Sequence, residues 1–303
     1  MEILGAEETK ARLSYVDLAE SIREVALKRT SPAVHAPPRM ALPLPEGGVL
    51  LAMPAADEDI AITKLVTVHP ENTGRCLPTI QGEVVVMEAA TGRRLGLLDG
   101  GVATARRTAA LSLLAARELA PRPNGPLLIV GAGIQGHAHL EAFREGLGTS
   151  RVFVLSRTDE HAESLRKRAE DLGVEARMVE DPDEVLQEIS LVITATTSRE
   201  PVVPEAVPEG VFVAAVGSFE PEAAELPPAL ISRSTIVVDT LEGAKAEAGD
   251  LIRAERVGAF SWEDAMPLED VLRTRERGEG TVVFESVGHA LWDLAAARTA
   301  FGS

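Results

Sequence analysis

The 303 residues are 45% hydrophobic and 25% charged, a composition that describes a globular chain large enough for two cores. A formal net charge of −17 and only 3% aromatic residues exclude the cationic, base-stacking surfaces that nucleic acids require, which leaves a small molecule as the expected ligand. The single cysteine, Cys76, excludes an internal disulfide, no apolar run approaches the roughly 20 residues of a membrane helix, and no basic stretch leads into an apolar N-terminal core, so a reducing cytoplasm is the expected compartment.

In chain order, residues 6–29 carry helical spacing (Leu13, Val16, Leu18, Ile22, Val25), which predicts one helix. Pro32, Pro37, Pro38, Pro43 and Pro45 then break the chain into short extended segments. "GGVLLAMP", "DIAITKLVTVHP" and "GEVVVMEAATGRRLGLLDG" read as strands, the last as a hairpin turning at "TG". The N-terminal third is therefore expected to be a helix with a mainly antiparallel sheet. In its middle strand a period of two places Ile60, Ile62, Lys64, Val66 and Val68 on one face. Lys64 interrupts this apolar stripe. It either faces an anion with its pKa displaced, as an enzyme would use it, or snorkels at a strand edge. Glu83 and Asp99, which flank the hairpin, read as turn and rim carboxylates.

"VATARRTAALSLLAARELA" (102–120) is a long helix, apolar almost all round from Thr108 to Ala116, with Arg106 and Arg107 in its first turn. At least one of the two needs an anionic partner, either the carboxylate of a ligand or a structural salt bridge. Arg39, after Pro37 and Pro38, is a third candidate cation, and together these residues suggest a cationic pocket facing a cofactor. The loop "PRPNG" marks the change of domain. Beyond it strands and helices alternate: "LLIVGAG", a helix over 134–146, "RVFVLSR", a helix over 159–172, then "LVITATTS", "VFVAAVGS" and "STIVVD". Continuously apolar strands in alternation with helices predict a parallel, doubly wound α/β sheet. The chain closes on a helical pattern, "SVGHALWDLAAARTAF".

Gly131, Gly133 and Gly136 stand in G-x-G-x-x-G spacing directly after a strand and at the start of a helix. There the glycines permit a tight bend, backbone approach to a pyrophosphate and close helix packing, and the helix end attracts the phosphates. A dinucleotide is the predicted ligand. At the end of the second strand, where a carboxylate would bind the ribose of NAD, the chain offers Ser156, Arg157 and Thr158. These suit a 2′-phosphate, so NADPH is expected, with NADH as the alternative if Asp159 or Glu160 contacts the ribose. "TATTS", containing Thr196, and "AAVGS", containing Val216 and Gly217, end later strands with small residues over which a cofactor can lie. The histidines are scattered, with His137 and His139 on different helix faces, so no metal site is expected; Ser14, Ser112 and Ser218 lack the context of a nucleophile.

The segments "PPRM", "TKLVTVHPEN", "LPTIQGEVVVMEAATG", "LLDGGVATARRTAALSLLAARELA", "VGAGIQGHAHLEAF", "EAGDLI" and "SVGHALWDLAAAR" resemble, in order and over nearly the whole chain, the ornithine cyclodeaminase/mu-crystallin family. The resemblance implies a Rossmann domain over 116–283. It also implies an N-terminal α+β substrate and dimerisation domain, 1–115 with 284–303, completed by the C-terminal helix. Arg39, Lys64, Thr79 and Arg107 match the family's substrate-pocket positions, which favours Arg107 over Arg106, with Lys64 as the catalytic proton donor. Gly131, Gly133, Ile134 and Gln135 match its pyrophosphate turn, and Ser156, Arg157 and Thr158 its adenosine-phosphate site. Ser286, Val287 and Gly288 match its segment near the nicotinamide.

The departures bear on activity. Cyclodeaminases of the family carry an acid after the "VG" of "AVGSFEPE", where this chain has Phe219, and a glutamate before "MP", where it has Leu51; Glu220 is the one candidate for a displaced substitute of the first. Without those carboxylates a deaminating ring closure lacks its proton carriers. The wording is closest to the ketimine reductases, which implies reduction of 1-pyrroline-2-carboxylate to L-proline and of 1-piperideine-2-carboxylate to L-pipecolate by a homodimer. An alanine dehydrogenase, a cyclodeaminase and a non-catalytic NADPH-binding protein remain as alternatives.

Overall fold

The computed structural model describes residues 1–75, 77–274 and 280–302, so Cys76 lies outside the described residues. The chain forms two compact units, Met1–Arg107 with His289–Ser303, and Thr108–Gly288.

The first unit begins with β1 (Glu2–Leu4), α1 (Ala6–Arg12) and α2 (Tyr15–Lys28). The single helix expected over 6–29 is thus two. The chain leaves helical geometry at Leu13, and the Ser14 hydroxyl caps the new helix by accepting the amide of Asp17 at 3.3 Å. Periodicity missed the break because the apolar side chains on both sides of it, from Leu13 to Val25, enter one core. Then follow β2 (Met40–Pro43), β3 (Val49–Ala56), β4 (Ile60–Val68), β5 (Ile80–Glu88), β6 (Arg94–Asp99) and α3 (Gly100–Leu119). The strands lie in the order β1-β6-β5-β4-β3-β2. Strands β2 to β6 are antiparallel, as their spacing predicted, but β1, too short to read from pattern, joins β6 in parallel. Asp57 tightens the β3–β4 turn by accepting the amides of Asp59 and Ile60. Asp99 ends β6 and starts α3, its Oδ1 accepting the amide of Val102 at 2.8 Å.

The second unit contains β7 (Leu127–Val130), α4 (Ile134–Leu147), β8 (Arg151–Leu155), α5 (Asp159–Asp171), β9 (Glu175–Met178), β10 (Leu191–Thr194) and β11 (Phe212–Ala215). After these come α6 (Pro228–Ile231), β12 (Thr235–Val238), α7 (Leu241–Glu247), α8 (Gly249–Arg256), β13 (Ala265–Pro267), α9 (Leu268–Thr274) and β14 (Val282–Glu285). Its eight strands are all parallel, in the order β13-β12-β14-β11-β10-β7-β8-β9. Winding runs outward from β7 through β8 to β9, then returns to β7's other side with β10, so the switch point falls at the glycine turn after β7. This is a Rossmann-type sheet. β7, β10, β11 and β14 are buried throughout, which is why they read as unbroken apolar runs.

The boundary between units falls inside α3, immediately after Arg107, and after Gly288, where the sequence suggested 115/116 and 283/284. The apolar stretch of α3 belongs to the second unit's core: Leu113 fills the space beside Gly146, Ser112 bonds His139, and Arg117 donates to the carbonyl of Gly146. Nothing in a uniformly apolar helix reveals which core will take it.

The chain returns to the first unit with α10 (Ala290–Phe301), which packs on α2 and across β3 to β6. Trp292, Leu294, Ala295, Ala296 and Ala297 are fully buried there, as is the one acid among them, Asp293, and Arg298 near the end of the helix pairs with Asp57 and Asp59.

Candidate functional site

In the second unit the three glycines of the fingerprint differ in what surrounds them. Gly131 takes φ +106°, and a side chain there would collide with the carbonyl of Ala195; one at Gly136 would collide with the carbonyl of Gly131. Gly133 faces open space, with no atom near the place a side chain would occupy. It is also the N-cap of α4, and no side chain caps that helix. Free amides, a positive helix end and an open approach make a cradle for a pyrophosphate. Ile134 follows, 77% exposed, and the Gln135 side-chain oxygen is buried without a hydrogen-bond partner among the described residues. At the end of β8, Ser156 is half-buried while Arg157 and Thr158 are exposed. Thr158 is the N-cap of α5, again without a side-chain cap. These residues fit a dinucleotide.

Below the turn, His139 of α4 is fully buried and bonds Ser112 of α3 through Nε2 (2.9 Å) and the carbonyl of Gln135 through Nδ1 (2.7 Å). Burial lowers its pKa to about 4. It therefore stays neutral and holds the glycine-turn helix against α3 rather than acting as a ligand.

Sequence reasoning missed the acids that set the strand ends. Glu225 accepts the Thr196 amide (2.6 Å), the Gly217 amide (2.8 Å) and the Thr194 hydroxyl (2.9 Å), tying the loops after β10 and β11 together. Val216, between them, is buried. Asp250 in turn accepts the amides of Glu225 (2.7 Å) and Leu226 (2.9 Å), and its own amide donates to Ser218. Asp239 accepts the Ser286 hydroxyl and the Gly288 amide, both at 2.9 Å, and so shapes the turn Ser286–Val287–Gly288, in which Gly288 has φ +84°. Glu285, beside it, is buried, and neither of its carboxylate oxygens has a hydrogen-bond partner among the described residues. Burial, and after it the charges of Asp250, Glu225 and Asp239, raise the Glu285 pKa well above the usual range, and burial raises Asp250 to about 7. The only available signals were "EAGDLI" and an Asp at a strand end; Glu225 had none.

In the first unit the β ladder aligns Met53, Lys64, Val84 and Leu98 in one row on the buried face. Lys64 is 3% exposed, which excludes the snorkelling alternative. Its partner comes from α10: Asp293, fully buried, places Oδ2 2.8 Å from Lys64 Nζ and Oδ1 3.5 Å from Arg107 Nε. The Thr104 hydroxyl lies 3.5 Å from Nζ. Burial lowers the Lys64 pKa to about 8; Asp293 opposes this, while Arg107 and Arg39 push the same way as burial. Arg107 Nε is buried without a hydrogen bond among the described residues.

The two adjacent arginines separate cleanly. Arg106 donates to the carbonyl of Leu13 at 2.5 Å and lies 3.7 Å over the Tyr15 ring, so it braces the junction of α1 and α2. Arg107 joins Lys64 and Asp293. Arg39 is half-buried just before β2, where it bears electrostatically on Lys64. Thr79 is half-buried, its carbonyl accepting the amide of His69, which fixes its backbone opposite the end of β4 rather than opposite Lys64. Leu51, within β3, and Phe219, 46% exposed, bring no acid to either position where the cyclodeaminases have one. Among the described residues no cluster of His, Cys, Asp and Glu could hold a metal ion, and no helix is long and apolar enough to cross a membrane.

The model of the ornithine cyclodeaminase/mu-crystallin family matches residues 2–302. Delta(1)-pyrroline-2-carboxylate reductase 1 of Burkholderia multivorans is 39% identical over 302 residues, 98% of this chain and 94% of the relative. The Delta(1)-pyrroline-2-carboxylate/Delta(1)-piperideine-2-carboxylate reductase of Azospirillum brasilense is 38% identical over 299 residues, again 98% and 94%. Among solved structures, the Delta(1)-pyrroline-2-carboxylate reductase of Thermococcus litoralis, in complex with NADH and L-proline, superposes with a TM-score of 0.92 at 28% identity, covering 99% of this chain and 96% of that one.

Proposed function

The chain belongs to the ornithine cyclodeaminase/mu-crystallin family, and on that premise we propose that it is an NAD(P)H-dependent reductase of cyclic ketimine carboxylates. Its substrates are 1-pyrroline-2-carboxylate, reduced to L-proline, and 1-piperideine-2-carboxylate, reduced to L-pipecolate. The observation that carries this reading is the buried cluster of Arg107, Lys64 and Asp293, in which a guanidinium nitrogen has no hydrogen-bond partner among the described residues and the lysine carries a displaced pKa. Such a site can hold an anion and release a proton, and neither Leu51 nor Phe219 adds the second acid that deamination uses.

The reduction adds a hydride to the imine carbon and a proton to the ring nitrogen. NAD(P)H, held by Gly131, Gly133, Ile134 and Gln135 at its pyrophosphate, supplies the hydride when bound. Ser156, Arg157 and Thr158 take the adenosine 2′-phosphate, which favours NADPH over NADH, while Thr196, Val216, Gly217, Ser286, Val287 and Gly288 line the remainder of the cofactor site. Arg107, with Arg39, holds the substrate carboxylate. Lys64 provides the proton: with a pKa of about 8 it is charged at neutral pH yet gives up its proton more readily than an ordinary lysine.

We infer a homodimer paired through the first unit's sheet, because the edge strand β2 exposes Met40 (63%) and Leu42 (51%). Sedimentation at micromolar concentration tests this, a monomer being the adverse result. For the activity, the test is oxidation of NADPH with each cyclic imine, run beside pyruvate plus ammonia and beside L-ornithine plus NAD. Turnover confined to the imines is expected; turnover of ornithine would overturn the reading.

A further inference from the structure

Lys64 stands in a row of apolar side chains, and its flanking partners in the ladder, Met53 and Val84, bring no charge. Every charged group that bears on it comes from elsewhere: Arg107 from α3, Arg39 from the segment before β2, and Asp293 from α10. Two of these are cations. Without an anion, an ammonium enclosed by protein and facing two guanidinium groups would lose its proton at lower pH still. A neutral amine there can neither attract a carboxylate nor donate to a nascent amine. The anion is supplied by a helix whose other residues are almost wholly apolar, at a position where a carboxylate is costly unless it is paired. Its two oxygens are divided, Oδ2 toward Lys64 at 2.8 Å and Oδ1 toward Arg107 at 3.5 Å.

The geometry points to Asp293 as the positioning residue of the reaction: from α10 it keeps Lys64 protonated and aimed, and holds Arg107 in line beside it. This rests on the reductase reading given above. Asp293 touches neither reactant in that scheme and acts through Lys64. The carboxylate is shared between two cations, which leaves the cluster with positive charge to spare for an incoming substrate carboxylate. The arrangement also explains why the last helix of the chain returns to the first unit, since it carries the anion on which the lysine depends.

The test is the pH profile of kcat/KM for 1-pyrroline-2-carboxylate in the isosteric variant Asp293→Asn, with NADPH affinity measured alongside. In the wild type the rate falls as pH rises through about 8, where free-enzyme Lys64 loses its proton. In Asp293→Asn that fall moves to lower pH by about one to three units, the range for loss of an opposite charge at this distance. NADPH affinity stays within about twofold. Glu restores the charge at the cost of fit, so Asp293→Glu keeps the fall within about half a unit of wild type while kcat drops. A residue that only filled space would give the reverse order, with Asn unchanged and Glu the worse of the two, and that result overturns the proposal. If Asp293→Asn does not fold, Asp293→Glu carries the test: a fall displaced by about a unit or more overturns it. Absence of turnover in the wild type would sink the reductase reading alone. The pair is then read directly, by nitrogen-15 NMR titration of lysine-labelled protein, where the Lys64 Nζ midpoint drops in Asp293→Asn if the proposal holds and stays in place if it does not.

Discussion

Both units bury charge, and they handle it in opposite ways. In the first, Lys64 and Arg107 share the carboxylate of Asp293 while Arg39 bears electrostatically on Lys64, so charge is balanced by charge and a positive excess remains. In the second, Glu225, Asp239 and one oxygen of Asp250 accept from backbone amides and hydroxyls, and among the described residues neither carboxylate oxygen of Glu285 has a hydrogen-bond partner. There the fixed dipoles of the strand ends do the work, and burial drives Asp250 and Glu285 toward the neutral form. A cluster that must greet an anion keeps its ions, whereas one that only holds loops in register can give them up.

That contrast can be broken by substitution. The largest effect is expected for Lys64→Met, which removes the proposed donor and strands Asp293: kcat/KM for the cyclic imine falls by about 10²–10⁴, the usual worth of general acid catalysis, with NADPH binding intact. Loss of both together would mean that Lys64 is structural. Next comes stability. Asp293→Ala leaves Lys64 and Arg107 buried without their anion and should cost about 3–5 kcal/mol by urea unfolding. Glu285→Met, which removes two unsatisfied oxygens, should be neutral or stabilise by up to about 2 kcal/mol. If Glu285→Met is the more damaging of the two, the contrast between the units is wrong.

Arg107→Ala removes a charge-assisted grip of about 1.5–3 kcal/mol, so KM for the imine acid rises about 10- to 100-fold, while NADPH affinity hardly changes. In the second unit Arg157→Ala is expected to weaken NADPH about tenfold relative to NADH, the loss of one charge-assisted contact to phosphate. An unchanged ratio removes the argument for NADPH. The smallest effect concerns pH. The Asp250 carboxyl is raised in the folded state from 3.8 to about 7, so the stability it contributes is complete below its unfolded pKa and is lost as pH rises through about 7. Burial raises Glu225 as well. Urea stability should therefore decline between about pH 4 and pH 7, and Asp250→Asn should flatten the decline, because the amide does not titrate while its oxygen still accepts from Glu225 and Leu226.

The dinucleotide turn was legible because its physics is local: a strand, three glycines and a helix start lie within a few residues, and each glycine's role follows from its neighbours in the chain. Lys64 was legible as an anomaly for a related reason, since a strand alternates faces and a charge on the apolar one announces itself. Pattern could not choose between Arg106 and Arg107, because neighbours on a helix differ only in direction and the partners, Leu13 with Tyr15 and Asp293, come from other helices. The family resemblance made that choice; the structure shows only that Arg107 pairs with Asp293 and Arg106 with Leu13 and Tyr15.

From sequence alone came the α/β class, the parallel sheet, the antiparallel sheet ahead of it, the cofactor turn and the suspicion attached to three cations. Only the tertiary structure decided what those cations face and where one unit ends. A helix as apolar as α3 is compatible with either core, and packing assigned its first turns to one unit and the rest to the other. Asp293 reads in sequence as one polar residue on a helix, and Glu225 as one acid in a loop. Each acquires its meaning from atoms brought to it across the fold, and the energy of a buried charge depends on those atoms alone.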